Sequence, residues 1–127
     1  MSQLDDARYI ILGTFRKNGV RVDTPIWAAP RGGKLYAFTE ADSGKVKRLR
    51  NSTRTQVAPC GARGKLLGDW ADARAQIVED AATIETAYQA LREKYGWQMK
   101  LTDLVSRLTG RYEKRAILEI EVVEERS

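Results

Sequence analysis

The chain has 127 residues, of which 43% are hydrophobic, and it carries a formal net charge of +5. This length predicts one domain spanning residues 1–127, and the positive charge suits an anionic partner. The sequence contains no histidine, which excludes Ser–His and Cys–His nucleophile pairs and the commonest protein ligand of metals and heme, so an enzyme of this composition would rely on a bound cofactor.

The beginning of the chain and its single cysteine predict a compartment. The opening residues, "MSQLDDARY", lack the basic and apolar regions of a signal peptide. No stretch approaches the ~20 apolar residues needed to cross a bilayer. Cys60 stands alone, which excludes an internal disulfide and a multi-cysteine zinc site and fits a reducing environment. We therefore expect a cytoplasmic protein with no metal site and no membrane association.

The first third of the chain predicts three antiparallel strands. Residues 9–16, "YIILGTFR", are rich in β-branched and aromatic types. Asn18-Gly19 is a strong hairpin signal because both positions tolerate positive φ. "RVDTPIWAAP" follows as the return strand, in which Pro25 favours a sheet edge. Gly32-Gly33 makes the next turn into "KLYAFT", which completes a meander.

A short helix is predicted next. Asp42 or Ser43 can cap it, and it should end at about Asn51. Val46 and Leu49 lie one turn apart and should face the core. "TQVAPCGA" and "LLGDWADARAQIV" then predict two further strands.

The last third predicts two helices and a strand. From about Asp80 the apolar residues fall at helical spacing, and Gly96 should end that helix: Ile84, Ala87, Tyr88, Leu91 and Tyr95. A second, shorter helix should end near Gly110, with apolar positions at Leu101, Leu104, Val105 and Leu108. "RAILEIEVV" alternates apolar and polar residues, which predicts a half-buried final strand. The fold class is therefore α+β, mainly β, with six antiparallel strands that should curl into a small barrel.

The short helix carries four cations in six positions: Lys45, Lys47, Arg48 and Arg50. At helical spacing Lys45 and Arg48 share one face, and Lys47 and Arg50 share the face beside it, so all four should point outward. The simpler interpretation is a solvated surface helix, because charge runs are usually no more than that.

The alternative interpretation is a phosphate site at the beginning of this helix. Thr39 and Ser43 supply hydroxyl groups, Gly44 is flexible, and Lys45 lies in the first turn beside free N–H groups. A charge-assisted hydrogen bond contributes about 1.5–3 kcal/mol, whereas a lysine at the positive end of a helix loses only about 0.3–1 kcal/mol. A bound anion would therefore make the arrangement favourable.

The second candidate is "TPIW", Thr24 to Trp27. It is either an edge strand with an aromatic residue in the core, or a free strand edge whose backbone groups face a flat heterocycle. Cys60 is predicted to be a small core residue, since no histidine can activate it. Trp70 and Trp97 could be core, interface or ring-stacking residues.

Together these segments resemble a known family. The hairpin with "TPIW", then "LYAFTEADSGKVKRLR" and "VAPCGARG", resembles the pyridoxamine 5'-phosphate oxidase-like split β-barrel proteins, and among them the deazaflavin (coenzyme F420)-dependent reductases. The resemblance covers about Ala7 to Val78, and the strand near 115–123 is consistent with it. It implies a six-stranded, flavin-binding split barrel with a phosphate-binding helix. It also implies a homodimer with a cofactor in each of two grooves between subunits.

The resemblance assigns cofactor contacts to particular residues. Ser43 and Lys45 match the phosphate positions, with Lys47 and Arg48 nearby. Residues that match ring-lining strands or adjoin the phosphate positions complete the implied set: Thr24, Pro25, Ile26, Trp27, Thr39, Gly44, Ala58, Pro59 and Cys60. Two departures stand out. The helix ends in "RLRNST" where relatives have "NLRxDP", and the inserted "KLTDLVSRLTG" could cover a substrate pocket.

Four functions follow as expectations. The resemblance implies first an oxidoreductase that moves a hydride between coenzyme F420 and a small conjugated organic substrate. The second keeps the fold but uses FMN, as a reductase or oxidase. The third is a non-catalytic flavin or tetrapyrrole carrier. The fourth, a nucleic-acid-binding barrel, would need stacking aromatics among the cations, which the sequence lacks, so no nucleic-acid partner is predicted.

Overall fold

Seven strands and four helices account for most of residues 3–110 and 114–124, the part of the chain that the computed structural model describes. In chain order they are α1 (Gln3–Asp6), β1 (Tyr9–Phe15), β2 (Arg21–Ile26), β3 (Ala29–Arg31), β4 (Lys34–Glu40), α2 (Gly44–Asn51), β5 (Arg54–Cys60), β6 (Ala71–Val78), α3 (Ala81–Tyr95), α4 (Trp97–Leu108) and β7 (Arg115–Glu124). None of the helices in those ranges combines the length and apolarity needed to span a bilayer.

The strands form one antiparallel sheet in the order β2-β1-β5-β6-β7-β4-β3. The prediction of an α+β, mainly antiparallel fold is confirmed, but the predicted count of six strands is wrong. The sheet also has two ends, β2 and β3, which do not pair with each other, so the described strands do not form a closed barrel. The predicted meander is wrong for the same reason, because the β1–β2 and β3–β4 hairpins lie at opposite ends of the sheet.

The additional strand arises because the predicted return strand breaks after Ile26. The backbone N–H of Ala28 donates to the Tyr95 hydroxyl at 3.0 Å, and the Ala28 carbonyl accepts from Lys94 Nζ at 2.6 Å. Trp27 stacks on the ring of Tyr95, with centroids 4.5 Å apart. These contacts from α3 replace strand pairing at this point, so the chain leaves one end of the sheet and rejoins it at the other as β3.

Helices cover the sheet on both faces and create two apolar clusters. Leu49 of α2 packs with residues of the sheet such as Leu12 and Leu118. Residues of α3, including Leu91, pack on the opposite face against Ile117. The predicted half-buried last strand therefore has its first half buried on both faces, because α3 covers the side that was expected to face solvent.

The two later helices are continuous apart from one glycine. Asp80 caps α3 by accepting from the Thr83 N–H at 2.9 Å, and Gly96 ends it with a φ of 54°, as predicted. The helix α4 follows at once and is also confirmed. Its inward residues are Met99 and Asp103, whereas its predicted apolar positions face outward.

Candidate functional site

A cavity of about 370 Å³ lies at the beginning of α2. Four elements meet there: the end of β4, the first turn of α2, the end of α4 and the first residue of β7. Its walls are formed by Phe38, Thr39, Glu40, Ser43, Lys45, Ser106 and Arg115. Three of the residues predicted for the phosphate site therefore face one cavity: Thr39, Ser43 and Lys45.

The start of α2 is held in place by its cap and by its buried face. The N–H of Ser43 donates to the Glu40 carbonyl at 3.1 Å, and Ser43 Oγ accepts from the Val46 N–H at 3.4 Å. Val46 and Leu49 are both buried beneath the helix, as predicted. The cap and the two apolar anchors orient the first turn so that Lys45 reaches the cavity.

Lys45 is a cation whose surroundings disfavour its charge. Burial lowers its pKa below the ordinary value of 10.5, and the nearby Arg48 lowers it further, while Glu40 acts in the opposite direction. No residue within 3–110 or 114–124 forms an ion pair or hydrogen bond with the Lys45 ammonium group. An anion in the cavity would compensate for both effects.

The prediction that Arg48 points outward beside Lys45 is wrong. Its side chain turns toward the sheet, where Nε donates to Oγ1 of the buried Thr14 at 2.6 Å. Burial, and then Arg16, lower the pKa of its guanidinium. A Cβ atom at Gly44 would lie 2.7 Å from Arg48 Nη1, so the glycine leaves room for the inward turn. Lys47 is exposed and does not line the cavity.

The opposite wall of the cavity was not predicted at residue level. The Arg115 side chain is only 4% exposed. Its Nη1 donates to Asp103 Oδ1 and its Nη2 to Ser106 Oγ, each at 2.8 Å. Its guanidinium carbon lies 4.1 Å from the centre of the Phe38 ring. The sequence signal that could have indicated this wall is Asp103, an acidic residue within the apolar pattern of α4, followed by Arg115 at the start of a strand.

The segment from Thr24 to Trp27 lies elsewhere. Thr24, Pro25 and Ile26 belong to β2, which pairs only with β1 and so ends the described sheet. Trp27 is half-buried on Tyr95. A free strand edge is thus present where the sequence predicted one, but none of these residues lines the cavity within the described part of the chain.

Ala58, Pro59 and Cys60 also lie away from the cavity. All three are buried in β5 and pair with β1. Burial raises the pKa of the Cys60 thiol, so Cys60 is a core residue, as predicted. Of the two tryptophans with open roles, Trp70 lies under Arg21, whose guanidinium carbon is 4.0 Å from the ring centre, and Trp97 is 71% exposed.

A second, smaller cavity of about 200 Å³ provides a contrast. It is lined by Lys34 and Glu119 among other polar residues, and Glu119 accepts hydrogen bonds from Lys34, Tyr36 and Gln76 at 2.9–3.3 Å. Burial alone would raise the pKa of Glu119, but these donors outweigh it and lower the pKa. Lys34 and Glu119 thus pair with each other, whereas Lys45 has no ion-pair partner among the described residues. In the ranges described, no group of three or more acidic or cysteine side chains could hold a metal ion.

Solved structures share this fold. No protein-family model and no curated protein matches the chain. A protein from Listeria innocua, a proposed pyridoxamine 5'-phosphate oxidase, is 11% identical with a TM-score of 0.63, covering 96% of this chain and 89% of that one. A FAD-binding protein from Mesorhizobium loti is 17% identical, with a TM-score of 0.60 and coverage of 95% and 83%. HutZ, the heme storage protein of Vibrio cholerae, is 9% identical, with a TM-score of 0.71 and coverage of 97% and 86%.

These identities are too low to carry an activity from one protein to another, but the similarity extends over nearly the whole chain. The similarity therefore establishes the architecture and agrees with the resemblance noted in the sequence. The chain has the fold of the pyridoxamine 5'-phosphate oxidase-like proteins.

Proposed function

We propose that the protein is an oxidoreductase that binds the phosphate of a flavin-type cofactor in the cavity at the start of α2. The observation that carries this proposal is the position of Lys45, a half-buried cation with no described anionic partner, beside the hydroxyl groups of Ser43 and Thr39. Of the cofactors named for proteins of this fold, FAD carries phosphate groups and heme does not.

The electrostatics of the cavity favour a phosphate over a neutral ligand. The first turn of α2 presents backbone N–H groups that have no partner within the helix, and the helix dipole adds partial positive charge there. Each charge-assisted hydrogen bond to phosphate contributes about 1.5–3 kcal/mol. Arg115 adds a second cation on the opposite wall, although Asp103 offsets its charge. Glu40 also lines the cavity and would weaken binding in part.

The size of the cavity indicates which part of the cofactor it would hold. Pockets for small molecules and cofactors span about 300–1,000 Å³, and this cavity of about 370 Å³ lies at the lower end, which suits the phosphate and part of the attached chain of a large cofactor. The ring would then lie outside it. In our proposal the ring rests on the free edge of Thr24 to Trp27, close to Ala58, Pro59 and Cys60, in a groove completed by a second subunit.

The fold and composition suit hydride transfer. A flavin-type cofactor supplies the hydride chemistry when it is bound, so the protein needs only to anchor its phosphate, orient its ring and position the acceptor. A chain without histidine can perform these tasks. The FAD-binding protein and the proposed pyridoxamine 5'-phosphate oxidase of the same fold support a flavin-type cofactor.

Between the flavin-type cofactors we favour coenzyme F420, with a small conjugated organic molecule as substrate. Its deazaflavin ring has carbon in place of N5 and reacts as a hydride donor. Its acidic glutamyl tail would find exposed cations at Lys47 and Arg50, on α2 beyond the cavity. FMN is the alternative, because the cavity contacts would be the same for either phosphate.

Titration with each cofactor, followed by ring fluorescence, tests the proposal. We expect both to bind and F420 to bind more tightly. Tighter binding of FMN would replace F420 by FMN in the proposal, whereas failure of both to bind would refute it. Mass spectrometry of the cofactor that copurifies with the protein provides an independent check.

A non-catalytic tetrapyrrole carrier is the second candidate, because a heme storage protein has this fold. Heme could not be held through histidine, which the chain lacks, and Cys60 is buried. Titration with hemin separates the candidates: a stoichiometric Soret shift, without any flavin binding, would favour the carrier.

A further inference from the structure

The helix α4 presents its apolar side to solvent. Five side chains along it are each more than half exposed, with Trp97 at 71% and Leu108 at 77%: Trp97, Leu101, Leu104, Val105 and Leu108. The side that faces the protein is narrower, with Met99 and Asp103 buried. No residue within the described ranges covers the exposed side, which is the reverse of the usual arrangement of a surface helix.

The exposed patch is among the larger ones found on soluble proteins. Five side chains of this size at these exposures present on the order of 500 Å² of apolar surface, at the upper end of the largest patches found on monomers. Such patches usually mark a surface that another molecule covers. A patch confined to one face of one helix limits the shape of that molecule.

The spacing of the patch matches a coiled-coil seam. Trp97, Leu101, Leu104 and Leu108 are separated by four, three and four residues, which is the alternation of a and d positions in heptads. At ~100° per residue these four lie within about 60° of the helix circumference, and Val105 widens the exposed apolar face to about 100°. The heptad spacing of the four is the arrangement that packs against one other helix, so a helix fits this face better than a flat lipid surface.

We propose that this seam binds α4 of a second copy of the chain in antiparallel orientation. A two-fold contact requires a surface that is complementary to itself. The seam satisfies this requirement because its spacing reads the same in both directions, so that Trp97 of each copy meets Leu108 of the other and Leu101 meets Leu104. Complete burial of both patches would remove roughly 1,000 Å² from solvent, about the minimum for a specific interface.

This contact is independent of the cofactor proposal. None of the four seam residues lines the cavity at α2, and the cavity-lining Ser106 projects from the opposite side of the helix. The seam therefore adds a self-association surface whether or not the protein binds a flavin.

The mass of the full-length protein in solution tests the proposal. Sedimentation equilibrium should show that Leu104→Glu halves the mass of the wild-type assembly, from dimer to monomer, or from tetramer to dimer if a second interface also forms. The control is Val20→Glu, which places the same charge at an apolar residue that is 52% exposed in the β1–β2 turn and should leave the mass unchanged. A wild-type monomer, or an unchanged mass in Leu104→Glu, overturns the proposal.

Cysteine cross-linking tests the orientation. Under mild oxidation, a mixture of Trp97→Cys and Leu108→Cys proteins should form a disulfide-linked pair, whereas Trp97→Cys alone should not. Cys60 is buried and should not interfere. Cross-linking of Trp97→Cys with itself indicates parallel helices and contradicts the proposal, as does the absence of cross-linking in the mixture.

Lipid is the main competing occupant, because Lys100 lies exposed on the same helix. Vesicles of phosphatidylglycerol and phosphatidylcholine distinguish the two. We expect the wild-type protein to remain in the supernatant after the vesicles are sedimented. Vesicle binding by a monomeric wild-type protein, lost in Leu104→Glu, would assign the patch to lipid and refute self-association.

Discussion

Arg115 and Asp103 form a buried ion pair that joins the first residue of β7 to the middle of α4, with Nη1 2.8 Å from Oδ1. The same guanidinium donates to Ser106 and lies over the ring of Phe38. Because Ser106, Phe38 and Arg115 all line the cavity at α2, this pair sets the position of one cavity wall relative to the other.

Removing the carboxylate of this pair should destabilise the fold. Asp103→Ala removes the carboxylate that accepts from the buried Arg115 side chain and that also lies 3.8 Å from Arg92 Nε, and breaking a buried pair typically costs about 3–5 kcal/mol. The free energy of unfolding from urea titration measures the loss. Asp23→Ala is the matched control, because the Arg21–Asp23 pair has the same 2.8 Å separation but is about one-third exposed, where the expected loss is below about 1 kcal/mol. Equal losses in the two variants would contradict the structural role given to Asp103.

Lys45→Ala should weaken cofactor binding without unfolding the protein. Loss of one charge-assisted hydrogen bond of about 1.5–3 kcal/mol corresponds to roughly a tenfold or greater increase in Kd. Fluorescence titration with FMN, which lacks the glutamyl tail proposed to meet Lys47, measures it. Lys47→Ala removes the same charge two residues away at an exposed position outside the cavity, so its Kd should change by less than about threefold. Equal effects would mean that net charge, and not the cavity, attracts the ligand.

Ser43→Ala should affect both stability and binding. The Ser43 hydroxyl caps α2 and also lines the cavity, and loss of a cap costs about 0.5–2 kcal/mol. Asp80→Ala removes the corresponding cap of α3, which is outside the cavity. Thermal unfolding should show a loss in both variants, while the Kd for the cofactor should rise only in Ser43→Ala. If Asp80→Ala raised the Kd equally, the binding effect would be a consequence of instability alone.

Local signals in the sequence were sufficient for much of the fold. The cap at Ser43, the buried pair Val46 and Leu49, and the end of α3 at Gly96 each depend on a few neighbouring residues, and the structure confirms them. Three residues predicted for the phosphate site also line one cavity, because they are close together in the chain.

The features that the sequence did not predict depend on distant contacts. The strand break at Ala28 is caused by Tyr95, 67 residues away, and the inward turn of Arg48 by Thr14, 34 residues away. The pairing of β4 with β7 brings Arg115 to the cavity. Periodicity also located α4 correctly but did not indicate its orientation, because an apolar stripe is equally compatible with a core and with an interface.

Tyr95 has a buried hydroxyl group that should make the stability of the protein fall at alkaline pH. The hydroxyl accepts from the Ala28 N–H at 3.0 Å and lies 2.9 Å from the Arg8 carbonyl. Burial raises the pKa of Tyr95 to about 12. The unfolded chain releases this proton near the ordinary pKa of 10.0 while the folded protein retains it, so the stabilisation is complete below pH 10 and is lost as the pH rises toward 12.

Tyr95→Phe should remove this pH dependence while lowering stability at neutral pH. At about pH 8 the variant leaves the Ala28 N–H without its partner, which should cost about 1–3 kcal/mol. Between about pH 9 and pH 11 the wild-type protein should lose about 1.4 kcal/mol more than the variant, since one pKa unit of protonation is worth that amount. Urea unfolding at both pH values measures the difference.

Two controls isolate the contribution of Tyr95. Tyr36, whose pKa is also raised to about 12 by burial, is present in both proteins, so its contribution cancels. Tyr9→Phe, which removes a hydroxyl at the start of β1, controls for the substitution itself. Parallel losses in wild type and Tyr95→Phe would show that Tyr95 does not hold its proton through this range, and the contact that divides β2 from β3 would then need a different explanation.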